Sequence, residues 1–296
     1  MYNYQPKDVI IEGKWLVLSK IGQGSFGEVF KVQDIHTNRF YAIKRESSET
    51  HYPQLYHEST IYNILKNGPC IPKYHWYGQY DGYECIVLEL LGSSLKKFQQ
   101  IVKDIPLDIV IELGCQLISC LEYIHSKGLV YRDIKPENFL FSKSCVLETH
   151  ATNSLDFGLT TWWQNPKTKK PFPDSKKPIK FKTGTARYAS LNVHHGHTHT
   201  RRDDMESLGY VLLDLLLGGN LPWSGVTART SKAGWDRLMS IKEDISLEDL
   251  CHGLPHGIMN FIDYTRRLQF SEQPDYIHLQ ELLRACTQPG PFSKSV

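Results

Sequence analysis

The chain predicts an α+β molecule built as two unequal lobes, a small β-rich one followed by a larger helical one. Two observations carry that reading. Before residue 90 the apolar residues sit in short, mostly alternating runs, the period of a half-buried strand. Beyond Gly92 they recur at spacings of three and four, the period of a helix face. At 296 residues the chain has room for one large domain or for two lobes that share a cleft. A boundary between such lobes is the default place for a ligand.

Each element follows from local signals. Trp15–Ile21 alternates, a glycine cluster interrupts, Glu28–Gln33 alternates again, and Phe40–Arg45 makes a third strand. Pro53 opens a helical stretch carrying Leu55, Glu58, Ile61, Tyr62 and Leu65, and Gly68-Pro69 closes it. Strand-like runs at Lys73–Tyr80 and Glu84–Leu90 flank Asp81-Gly82, a hairpin signal. The expected small sheet is mixed but mostly antiparallel, with a short connector near Leu91-Gly92. Ile109, Leu113, Leu117, Leu121 and Ile124 mark one face of a long helix from Pro106 to near Gly128. Further helical patterns cover Asp204–Leu217, Ser231–Ile241, Gly257–Leu268 and Asp275–Ala285, and no internal repeat is evident.

The net charge of +2 is unremarkable, but its distribution is uneven. Between Thr160 and Arg187 eight basic residues face one acid, Asp174, so this strip is +7 and the rest of the chain is −5. That pattern favours a specific anionic partner over general nucleic-acid binding. The seven cysteines are scattered singly, with no CxxC pair, which argues against a disulfide framework or a zinc site and for a reducing compartment. The start, MYNYQPKDV, has no basic region followed by an apolar stretch, so no signal peptide is expected. The most apolar run, LGYVLLDLLLGG, is too short to span a bilayer and contains Asp214. A soluble, cytoplasmic protein fits these features, with a nuclear share left open and a monomer the working expectation; neither membrane nor nucleic acid is expected as a partner.

Gly22-Gln23-Gly24-Ser25-Phe26-Gly27-Glu28-Val29 is a GxGxxGxV loop. Alone it is a weak signal, shared with dinucleotide sites, where the loop leads into a helix. Here Val29, Phe30 and Val32 continue as a strand toward Tyr41-Ala42-Ile43-Lys44, so the glycines sit in a hairpin where backbone N–H groups can approach phosphate oxygens. A dinucleotide-dependent oxidoreductase is thereby disfavoured, because no βαβ unit surrounds the loop. Lys44 in a half-buried strand needs a partner. Glu58 on the next helix can supply one and hold the ammonium against ATP phosphates. Tyr131-Arg132-Asp133-Ile134-Lys135-Pro136-Glu137-Asn138 has the D-x-K-P-x-N spacing of a kinase catalytic loop, and Asp156-Phe157-Gly158 follows as a metal-binding triplet. Four motifs in this order leave coincidence little room.

Most kinases close the activation segment with Ala-Pro-Glu. This chain has instead Lys182-Thr183-Gly184-Thr185-Ala186-Arg187-Tyr188-Ala189-Ser190, then Arg201-Arg202-Asp203-Asp204-Met205-Glu206-Ser207-Leu208-Gly209-Tyr210. With Leu91-Gly92-Ser93-Ser94-Leu95, Leu221-Pro222-Trp223 and Pro274-Asp275-Tyr276, it resembles the casein kinase I family of serine/threonine protein kinases over nearly its whole length. The resemblance implies the bilobal protein-kinase fold, with an extension over 1–14, a kinase domain over 15–289 (small lobe about 15–90, large lobe about 92–289) and a short tail over 290–296. It implies transfer of the ATP γ-phosphate to serine or threonine, the lysine two places after Asp133 favouring these over tyrosine. Asp133 would be the catalytic base, with Lys135 assisting, and Asn138 and Asp156 the Mg2+ ligands. ATP would lie among Ile21, Gly22, Gly24, Gly27, Val29, Ala42 and Leu140, with Leu88 as gatekeeper and the backbone of Glu89 and Leu91 bonding the adenine edge. Lys44, paired with Glu58, would hold the phosphates, and Asp204 would support the catalytic loop from its helix.

Family members favour protein substrates with acidic or phosphorylated segments before the acceptor. Arg187 and Lys180 match the positions of that anion site, and Lys232 stands near the place of its third cation, since Gly234 is not basic. The chain also departs from the family in having Tyr131 where histidine is usual, a polar run Thr152-Asn153-Ser154-Leu155 before Asp156, and no lysine-rich nuclear-targeting stretch. The tract His194-His195-Gly196-His197-Thr198-His199 is expected to be an exposed loop rather than a metal site. The rival readings are a pseudokinase scaffold, disfavoured because Lys44, Asp133, Asn138 and Asp156 are all present, and a vaccinia-related-type kinase, disfavoured by the intact GTARYAS run. The short tail leads to the expectation of activity without an upstream kinase.

Overall fold

The computed structural model describes residues 9–24, 27–143, 152–154, 156–175, 177–179 and 182–288. Lys180, Leu155, Cys145 and the loop residues Ser25 and Phe26 lie outside them.

The first lobe is a sheet of β1 (Ile10–Ile11), β2 (Trp15–Gly24), β3 (Gly27–Asp34), β4 (Phe40–Ser47), β5 (Tyr74–Tyr80) and β6 (Tyr83–Glu89), with helix α1 (Leu55–Leu65) between β4 and β5. The strand order is β1-β2-β3-β4-β6-β5 and every pairing is antiparallel, so the expected mixed sheet is corrected to a purely antiparallel one. The cause is connectivity: α1 enters between β4 and β5, and the Asp81-Gly82 turn folds β6 back between them. Both turn residues take positive φ, 49° and 75°, as a two-residue hairpin requires. One sheet face buries Trp15, Val32, Ile43, Cys85 and Val87.

The second lobe holds α2 (Leu95–Ile101), α3 (Leu107–Ser126), β7 (Leu129–Val130), β8 (Phe139–Phe141), β9 (Thr152–Ser154), β10 (Thr161–Trp162), α4 (Leu191–His194), α5 (Arg201–Leu216), α6 (Ser231–Asp244), α7 (Leu247–Leu250), α8 (His256–Arg267) and α9 (Tyr276–Arg284). The long helix and the four later ones lie within a few residues of their sequence-based positions. The short helices α2, α4 and α7 were not foreseen. They announce themselves by caps rather than by periodicity: Ser94, Ser190 and Ser246 accept from the backbone N–H of Lys97, Val193 and Asp249. Helix α5 is buried all round, which no amphipathic pattern signals. A single core runs from α1 through Ile86 and Leu88 into Leu113, Leu117, Leu121, Leu208 and Leu279, so the lobes share one hydrophobic interior.

The histidine tract is corrected in part. His194 is 1% exposed, turned inward by the single turn of α4. Its Nε2 lies 3.1 Å from the Nζ of Lys242, itself fully buried, which donates to the carbonyls of Ala186 (3.0 Å) and Ala189 (2.7 Å). A lysine on α6 thus ties down the segment that carries Arg187. Burial, then the charges of Lys242 and Lys182, push His194 down to about 3. His195 and His197 stay exposed beside Glu243 and Asp174.

A folded pKa below the unfolded value means that the unfolded chain binds more protons as the solution acidifies. Stability from His194 is complete above about pH 6.5 and declines as pH falls toward its folded value. His125, also held neutral by burial, adds in the same direction. Thermal midpoints measured between pH 7 and pH 5 are expected to fall, and to fall less in His194→Gln, whose amide oxygen still accepts from Lys242.

Candidate active site

The phosphate-facing edge of the first lobe is set by strand alternation. Lys44 and Glu46, two apart on β4, point to one face. The Glu46 carboxylate accepts from the backbone N–H of Gln54 (3.0 Å) and Leu55 (2.6 Å), capping α1 where the helix dipole favours an anion. The capped helix then presents Glu58 to Lys44, with Nζ and Oε2 2.6 Å apart, and Asp156 stands 3.5 Å from the same ammonium. Burial pushes Glu58 up to about 7, against the pull of Lys44. Burial also opposes the charge on Lys44, but Glu58 and Asp156 outweigh it, so its pKa rises and it stays an ammonium.

Across the cleft, Asp133 is held on three sides. Its Oδ1 accepts from Thr185 Oγ (2.8 Å), and its Oδ2 from Lys135 Nζ (2.5 Å) and Asn138 Nδ2 (3.1 Å). Asn138 also donates to the Asp133 carbonyl at 2.9 Å, closing the loop on itself. Its amide oxygen and the Asp156 carboxylate are hard oxygen donors of the kind magnesium takes. Asp156 is one-third exposed and accepts from Gly158 N–H at 2.9 Å. The residues present therefore fit a magnesium ion and would hold it with substrate phosphates.

The glycine hairpin forms as expected, Gly22 opposite Val29 and Gly24 opposite Gly27. At Gly27 only glycine fits, because φ is +148° and a Cβ would fall 2.2 Å from the Arg45 carbonyl oxygen. Ala42, Leu88 and Leu91 are buried, Val29 and Leu140 partly so, and Ile21 is half exposed at the rim. The Glu89 N–H is taken by the Lys73 carbonyl at 2.8 Å.

The catalytic loop hangs from Asp204 on α5. This fully buried carboxylate accepts from the N–H of Tyr131 (2.7 Å) and Arg132 (2.9 Å), and from His125 and His199 at 2.9 Å each. Burial would raise its pKa, but His125 and His199 hold it well below the carboxylate range. Arg132 needs that support, since its φ is +74°. Tyr131 packs face-on to Phe139 and edge-on to Phe157, which meets Tyr62 of α1 edge-on at 4.9 Å; Tyr62 stacks on Tyr74. The aromatic column joins α1, the catalytic loop and the Asp-Phe-Gly triplet.

Of the sequence-derived anion residues, Arg187 lies by the catalytic loop but is paired with Asp214, Lys232 is exposed on α6, and Lys180 is outside the described residues. Thr185, Tyr62, Tyr74, Gln99 and Asp214 went unnoticed as site residues. Only the hydroxyl of Thr185, within the GTARYAS run, offered a signal.

Asp204→Ala removes the acceptor for four buried donors, and a loss of roughly 3–5 kcal/mol is expected by denaturant unfolding. Asp204→Asn, which keeps one oxygen, should lose less.

The order of these parts, an ion-paired strand lysine, a glycine hairpin, a carboxylate flanked by lysine and asparagine, and a second carboxylate facing it, is that of a phosphoryl-transfer site. A protein kinase domain model matches residues 15–274, nearly nine-tenths of the chain. The chain belongs to the protein kinase superfamily.

Proposed function

We propose that this protein is a serine/threonine kinase of the casein kinase I type, which moves the ATP γ-phosphate to hydroxyls of proteins at acidic or already phosphorylated sites. The observation that carries the reading is Asp133, whose two carboxylate oxygens are held by Thr185, Lys135 and Asn138 beside the ion-paired Lys44 and Asp156.

The acceptor oxygen attacks the γ-phosphorus in line, its proton passes to Asp133, and ADP leaves with the electrons of the broken P–O bond. Lys135 moves from Asp133 toward the transferring phosphoryl oxygens, and Lys44 steadies the phosphates from the other side. Magnesium, when bound at Asn138 and Asp156, supplies charge neutralisation on the phosphate oxygens. Adenine sits between Ala42 and Leu140 beneath Ile21 and Val29, with Leu88 limiting its depth and the Glu89 and Leu91 backbone reading its edge. The finer family assignment rests on the GTARYAS and RRDDMESLGY runs and on the absence of Ala-Pro-Glu.

The test is transfer from labelled ATP and magnesium onto matched serine, threonine and tyrosine peptides. Asp133→Asn is expected to lower kcat by roughly 10²–10⁴-fold, the usual worth of a general base, while nucleotide binding by calorimetry persists. Lys44→Met should weaken nucleotide binding as well as turnover. Transfer confined to tyrosine would overturn the acceptor assignment, and bound ATP without transfer would leave a scaffold.

A further inference from the structure

Beside the catalytic loop lies an open cleft of about 490 Å³ lined by Lys96, Lys135, Glu137, Thr185, Arg187 and Gly219 among others. It borders the acceptor position, because Thr185 and Lys135 both touch Asp133. Three cations face it, and they are not equivalent.

Arg187 is already charge-neutralised, although through one nitrogen only, its Nε being buried without a partner among the described residues. Its Nη2 donates to Asp214 Oδ1 at 2.5 Å and to the Gly219 carbonyl at 2.7 Å. Asp214 is fully buried and accepts in addition from Tyr188 OH (3.1 Å) and Gln99 Nε2 (3.1 Å). A phosphate that took Arg187 for itself would strand a buried carboxylate without its cation, a heavy penalty. One that shared Arg187 would approach Asp214, a like charge. Lys135 is paired with Asp133 and is assigned above to the transferring phosphoryl group.

Lys96 differs. Its Nζ donates to Gln99 Oε1 at 3.1 Å, and among the described residues no carboxylate lies within ion-pair distance of it. Two of its three donors remain for a ligand. Its place is fixed by the loop before α2: Gly92 N–H donates to the Phe141 carbonyl, and Phe141 N–H to that of Ser93, at 2.8 and 3.0 Å. The first turn of α2 is thereby tied to the strand that leaves the catalytic loop. The same Gln99 that orients Lys96 binds the Asp214 carbonyl at 2.8 Å and, as above, its carboxylate, so one buried amide sets both cations.

We propose that Lys96 is the specificity-determining cation that reads an acidic or phosphorylated substrate residue next to the acceptor, and that Asp214 withdraws Arg187 from that role. This rests on the reading of the chain as a protein kinase with a preference for acidic sites, and it relocates the anion contact to a residue outside the family motifs. Glu137, exposed in the same cleft, confines the preference to the Lys96 side.

The experiment walks a single aspartate or phosphoserine through the three positions on either side of a serine acceptor, against alanine at the same place. The readout is the ratio of kcat/KM for the acidic peptide to that for its alanine twin. The unsubstituted protein is expected to give a ratio above one at one or two positions. Lys96→Ala should cut it roughly three- to tenfold, as for a partly exposed charge-assisted contact. Lys96→Arg should retain most of it, and Lys96→Glu should invert it toward lysine-bearing peptides. Asp214→Asn, which releases Arg187, should raise the phosphoserine ratio; no rise would overturn the part given to Asp214. A ratio above one that survives Lys96→Ala would overturn the role of Lys96 and return the anion contact to Arg187. Active transfer with a ratio of one throughout would overturn both this proposal and the acidic preference, and no transfer at all would overturn the kinase reading itself.

Discussion

Everything at the catalytic loop depends on one buried carboxylate. Asp204 sits in a helix whose whole circumference is inside the protein, where an isolated charge is untenable. It is tolerable because two backbone N–H groups and two imidazoles converge on it. The dependence is mutual. Arg132 adopts a left-handed backbone that a non-glycine residue avoids, and the bonds from its own N–H and its neighbour's hold it there. That kink separates Tyr131, which packs into the aromatic core, from Asp133, which is held by Thr185, Lys135 and Asn138. A hydrophobic anchor and a reactive group two residues apart are the result.

The same anchor carries the lobes' relationship. Tyr131 touches Phe157, Phe157 touches Tyr62, and Tyr62 stacks on Tyr74 at the sheet edge. Tyr62 is one turn beyond Glu58 on α1, so this packing and the Lys44 ion pair fix the same helix from two sides. A shift of α1 would break the dispersion contacts and leave Glu58 buried without its cation together. The two costs are coupled, which makes the assembled cleft a cooperative state rather than a sum of local contacts. His57 on the same helix bonds the Thr160 carbonyl at 2.7 Å and extends the coupling to the activation segment.

What could be read beforehand divides along physical lines. Lys44, Asp133, Asn138 and Asp156 were legible because each sits in a contiguous motif whose spacing is set by the chemistry, and Glu58 because a half-buried lysine needs an acid on the next helix. The long helix α3 was legible because one face alone is apolar. Helix α5 was only half legible, since a helix buried on all sides has no periodic face, and its polar residues Asp203, Glu206 and Asp214 look like surface until their partners are known; Asp204 was placed only through the family resemblance. Tyr62 and Tyr74 pass for ordinary core residues in the sequence. His194 misled for the opposite reason: a run of polar residues suggests exposure, but an inward turn of α4 and a buried lysine from α6 give it a place inside. Of the polar run before Asp156, Thr152–Ser154 form β9, paired antiparallel with β8.

Arg187 carries this distinction furthest. As a motif residue it is a free guanidinium awaiting phosphate, because the motif says nothing of what stands twenty-seven residues away. Asp214 lies in the most apolar run of the chain, where its charge seemed only to rule out a membrane span. Folding brings the two together at the edge of the acceptor cleft and adds Gln99 and Tyr188 around the carboxylate. The guanidinium becomes the neutralising half of a buried pair that holds the GTARYAS segment against α5. Such a change leaves every catalytic group intact, because Asp133, Lys135 and Asn138 form their network without contact to Asp214. Charge selectivity at this cleft can therefore be altered from beneath by a core residue while the chemistry above it stays the same.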